Sequence, residues 1–116
     1  MIQQMGQSEG NALGYRVVGY VTKDDYAELE PEVKAAIQKY GAVRLLFDLS
    51  NFKWEKVDAW GADLGFGHEF KDKIERMALV GNASWGKYVT KLAKPFYAQE
   101  AGWFEDGDEA WTWVKS

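Results

Sequence analysis

With 116 residues, 14 Lys and Arg against 18 Asp and Glu, one His and no Cys, the chain is expected to form a single domain over residues 1–116. Disulfides, thiolate zinc sites and cysteine nucleophiles are excluded, one imidazole excludes a multi-histidine metal cluster, and neither metal nor other cofactor is implied. The net charge of −4 argues against a nucleic-acid partner. No apolar run approaches the roughly 20 residues of a membrane span, and MIQQMGQSEG lacks a signal-peptide pattern, so the expected compartment is the cytoplasm.

Met1 to Gln7, the turn-rich Ser8-Glu9-Gly10-Asn11 and the β-branched and aromatic stretch Ala12 to Val21 read as a β-hairpin. Thr22 with Asp25 resembles a capping box that starts a helix at Lys23. Proline is tolerated in a first turn and not in a helix interior, so Pro31 predicts a short turn at Asp24 to Leu29 and a main helix from about Glu30. Val33, Ile37 and Tyr40 form its apolar stripe and Gly41 its terminator.

Val43 to Leu49 and Met77 to Val80 are near-continuous apolar runs, the pattern of strands buried on both faces. Between them a helix is expected over about Lys56 to Phe70, and a third over Ser84 to Ala93, closed by Pro95. Ala101 to Glu105 reads as a short strand, and Asp106 or Asp108 caps a final helix carrying Ala110, Trp111, Trp113 and Val114. The order β-β-α-β-α-β-α-β-α calls for an α/β fold with one mixed, mostly parallel sheet of about five strands flanked by helices.

No catalytic constellation stands out. His68 reads as a solvated helix-end histidine, with no Gly-x-Ser-x-Gly elbow to accompany it. Gly61, Gly65 and Gly67 fall inside a helical pattern and match no phosphate loop, but each costs that helix roughly 0.8–1 kcal/mol relative to Ala, which makes 56–70 the expected mobile element. Asp48, Glu55, Asp58 and Asp63 cluster near the end of the third strand, where open α/β sheets bind ligands; capping and solvation also explain them. Lys87, Lys91 and Lys94 line one helix face as a solvated surface or a set of polar contacts.

Six Trp exceed what a small core usually encloses, because Trp is rarely buried completely. Trp54, Trp60, Phe66, Trp85, Tyr88 and Phe96 are the candidate lining of a pocket or face of an interface, with Gly61 and Gly86 among them and Lys87 and Lys91 as polar contacts. The first reading is a binding module in which helix 56–70 is a lid over an apolar site for a small amphipathic ligand or a membrane surface. The second is a protein-interaction domain that uses the same aromatics.

The chain also resembles the SpoIIAA-like family of small bacterial STAS-like proteins. The matching stretches are Val18-Gly19, Thr22, Asp25-Tyr26, Val43 to Leu49 with Phe52 and Trp54, Trp60, Phe66-Gly67, Glu75-Arg76, Val80-Gly81, Trp85, Leu92-Ala93, Pro95-Phe96 and Phe104. The resemblance implies a mixed sheet of about five strands, likened also to the lipid-carrying CRAL-TRIO fold. It implies no enzymatic activity, and a role in binding apolar ligands or associating with membranes. Anti-sigma antagonists of the wider group carry a phosphorylatable serine after the third strand; Lys53-Trp54-Glu55-Lys56-Val57 has no hydroxyl, so that switch is not implied here. Gly61, Gly86 and Gly102 stand where the family leads one to expect larger residues. Room for a ligand or partner is one reason; engineering of a natural scaffold, trimmed to fit a chosen protein, is another.

Overall fold

The computed structural model describes residues 1–19, 23–52, 72–82 and 98–116. The helices expected over 56–70 and 84–93 lie outside the described residues. Strands β1 (Ile2–Gln4), β2 (Ala12–Gly19), β3 (Val43–Phe52), β4 (Ile74–Val80) and β5 (Glu100–Phe104) form one sheet in chain order. β1 is the antiparallel edge and the other four run parallel, the mixed α/β sheet anticipated from the pattern of elements.

Alternation along the strands divides the interior into two layers. Leu13, Tyr15, Val17, Val43, Leu45, Phe47, Leu49, Ile74, Met77 and Leu79 are buried together with Leu29, Val33 and Ala36 of helix α1 (Lys23–Tyr40). On the opposite face, Ala12, Leu46, Ala78 and Val80 pack with Ala110, Trp111 and Val114 of helix α2 (Gly107–Lys115). Tyr15 and Phe47 are register partners whose rings stack with centroids 5.9 Å apart. The Tyr15 hydroxyl donates to Glu32 Oε2 at 3.0 Å and so ties α1 to the sheet. Burial pushes the Tyr15 phenol far above its ordinary range, and the neighbouring Glu32 charge and hydrogen bond add to the effect.

Pro31 does not divide α1, contrary to the expected short turn and separate helix; the helix runs through it for 18 residues. An interior proline costs about 3 kcal/mol. Leu29 and Val33, on either side of it, are 2% and 0% exposed. Burying two such side chains is worth about 1.5–3 kcal/mol each, enough to offset the lost hydrogen bond. Tyr40 departs from the expected stripe, with 46% of its surface exposed beneath the Lys39 ammonium. Gly41 closes the helix with φ +85° and donates its N–H to Ile37 O at 2.7 Å. Asp106 is the cap of α2, its carboxylate accepting from the Asp108 N–H at 2.8 Å.

Candidate functional site

Ligands of open α/β sheets bind outside the carboxyl ends of parallel strands, so the way those ends are arranged decides what a site here can be. The β3–β4 ladder stops at Asp48 and Val80. Beyond it β2 continues beside β3 as far as the pair Gly19 and Phe52, while the Gly81 N–H donates to Phe104 O at 3.0 Å on the β5 side. The sheet therefore divides at its carboxyl edge, between β3 and β4. A bulge sits at the division: pairing passes from Arg16–Asp48 to Val18–Asn51, which leaves Leu49 and Ser50 opposite Val17 alone. A bulge bends its strand, here at the point where β3 parts from β4.

The residue added by the bulge is held locally. Asp48 Oδ1 accepts the Ser50 N–H at 3.0 Å and the Ser50 hydroxyl at 2.6 Å. Asp48 Oδ2 lies 3.8 Å from Arg16 Nε. With Arg16 half exposed, this ion pair is a solvated rim and not a buried charge. Asp48 was legible as a carboxylate near the carboxyl end of the third strand; Arg16 and Ser50, its actual neighbours, were not, because cross-strand register decides who faces whom. Glu55, Asp58 and Asp63 lie outside the described residues.

The amino ends of the central strands are built differently. Arg44 and Arg76 are register partners on β3 and β4, a like-charge pair that a bare sheet would disfavour. The last turn of α2 lies above them. Arg44 donates to Val114 O at 3.1 Å and Ser116 O at 2.6 Å, and pairs with Glu75 at 3.3 Å. Arg76 donates to Trp113 O at 2.7 Å and Ser116 Oγ at 2.6 Å, pairs with Glu100 at 3.3 Å, and stacks over the Trp113 ring. Carbonyls that a helix leaves unpaired at its carboxyl end are thus satisfied by two guanidinium groups. A polar groove of about 510 Å³ runs alongside, between Glu9, Asn11, Arg44 and Lys115.

A profile of the SpoIIAA-like proteins matches residues 12–115. The chain belongs to the SpoIIAA-like family. Among solved structures it is similar to an uncharacterized protein from Shewanella loihica PV-4, of the DUF3478 family and with a SpoIIAA-like fold. Identity is 24%, the TM-score is 0.70, and the match covers 98% of this chain and 92% of that one, a likeness in fold. No curated protein matches.

All the aromatic and polar site residues expected for this SpoIIAA-like chain, Trp54, Trp60, Phe66, Trp85, Tyr88 and Phe96 with Gly61, Gly86, Lys87 and Lys91, lie outside the described residues, as does His68. Gly102 is described, and its neighbours are internal. A Cβ there would stand 3.0 Å from Phe104 Cε2 and 3.4 Å from Trp113 Cη2. These two rings pack with centroids 5.4 Å apart, so the space that a larger side chain would take is filled by the chain itself. Among the described residues no group of His, Cys, Asp or Glu is placed to hold a metal ion, and no helix is long and apolar enough to cross a membrane.

Proposed function

We propose that this SpoIIAA-like domain is a non-catalytic binding module whose site lies at the divided carboxyl edge of the sheet, between β3 and β4. The observation that carries the reading is the division itself, because both aromatic-rich segments continue directly from it. The chain leaves β3 at Phe52 two residues before Trp54, with Trp60 and Phe66 following. It passes Val80, Gly81 and Asn82 at the end of β4 three residues before Trp85, with Tyr88 and Phe96 following. An end to strand pairing that is followed in sequence, on both strands, by aromatic-rich segments is suited to a small amphipathic molecule or lipid, bound by its apolar part. The segment 56–70, with its three glycines, serves as the lid, and opening it presents aromatic residues to a membrane surface.

Native mass spectrometry of the purified protein, repeated after denaturation, tests this. A bound species of a few hundred daltons, released on denaturation, is the expected result. A clean apo mass, together with no co-sedimentation of the protein with phospholipid vesicles, would overturn the reading in favour of a protein-interaction domain.

A further inference from the structure

We draw no further inference here: the strongest candidate, the polar groove between the last turn of α2 and the amino ends of β2 and β3, carries nothing because Arg44 is already engaged by Glu75, Val114 O and Ser116 O and Lys115 by Glu9, so its charges are met within the chain and none is left to select a ligand.

Discussion

Replacing Gly14 by Ala is the sharpest test of how α2 is seated. The added Cβ would lie 2.2 Å from Trp111 Cζ2 and 2.4 Å from Cη2. Carbon atoms rest about 3.5–4.0 Å apart, so the indole would have to retreat by more than about 1 Å. It has little room, since Trp111 is only 7% exposed and lies between the sheet and its own helix. Overpacking of this kind costs about 1–3 kcal/mol, and complete loss of a tryptophan anchor about 3–5 kcal/mol. We expect Gly14→Ala to cost about 2–4 kcal/mol in urea unfolding followed by circular dichroism. Gly107→Ala is the control: its Cβ meets nothing within 4 Å, and it should be neutral or stabilise the first turn of α2 by up to about 1 kcal/mol. In a Trp111→Ala background the cost of Gly14→Ala should fall below about 0.5 kcal/mol. Equal costs in the two backgrounds would refute the steric argument, because the contact would then not be the cause.

Other outcomes follow from the remaining contacts. Tyr15 has a folded pKa above its unfolded value, so its contribution to stability is complete below about pH 10 and is lost as pH rises further. Tyr15→Phe should therefore be less stable at pH 8, by about 1.5–3 kcal/mol for the hydrogen bond to Glu32, yet lose stability more slowly above pH 10, by about 1.4 kcal/mol per unit. Parallel curves from pH 8 to 11.5 would show the phenol to be ordinary. Arg76→Met should weaken the last turn of α2, raising amide exchange at Trp113 to Lys115 while the β3 amides stay protected; uniform exchange would mean that the guanidinium does not hold the helix end. On the proposed lid helix over 56–70, Gly61→Ala with Gly65→Ala should add about 1–2 kcal/mol to stability and slow exchange of the proposed ligand. Hydrogen exchange in 56–70 as slow as in β3 of the unmodified protein would remove the lid.

The elements that could be read in advance were those specified by neighbours in sequence. The apolar runs of β3 and β4, the cap of α2, narrowed to Asp106 or Asp108, and the stop at Gly41 each depend on residues within one turn or one strand. Pro31 misled because its local penalty was weighed without the burial of Leu29 and Val33, which only the sheet supplies. The bulge at Leu49 and Ser50 leaves no mark in composition, since it arises from the register of β2 against β3. Arg44 lies within the Val43 to Leu49 run and Arg76 just before Met77 to Val80; their shared register and the helix end above them are tertiary facts. Gly102 invited a functional explanation because the rings of Phe104 and Trp113 that fill its space could not be placed beforehand. Of the proposed site, the sequence offered only an expected place, the carboxyl end of the third strand, while the end of the β3–β4 pairing at Asp48 and Val80 depends on register.

The seating of Trp111 on Gly14 joins positions from opposite ends of the chain, and this has a consequence during synthesis. Each new strand adds beside the one made before it, so the sheet can grow as the polypeptide emerges, while Gly14, Leu46, Ala78 and the two arginines await a cover made last. At about 5–20 residues per second, the stretch from Val80 to Lys115 takes roughly 2–7 s to translate. Until α2 is made, Leu46, Ala78 and Val80 lack the cover that Ala110, Trp111 and Val114 give them in the finished fold, so the last residues translated complete the packing on this face of the sheet.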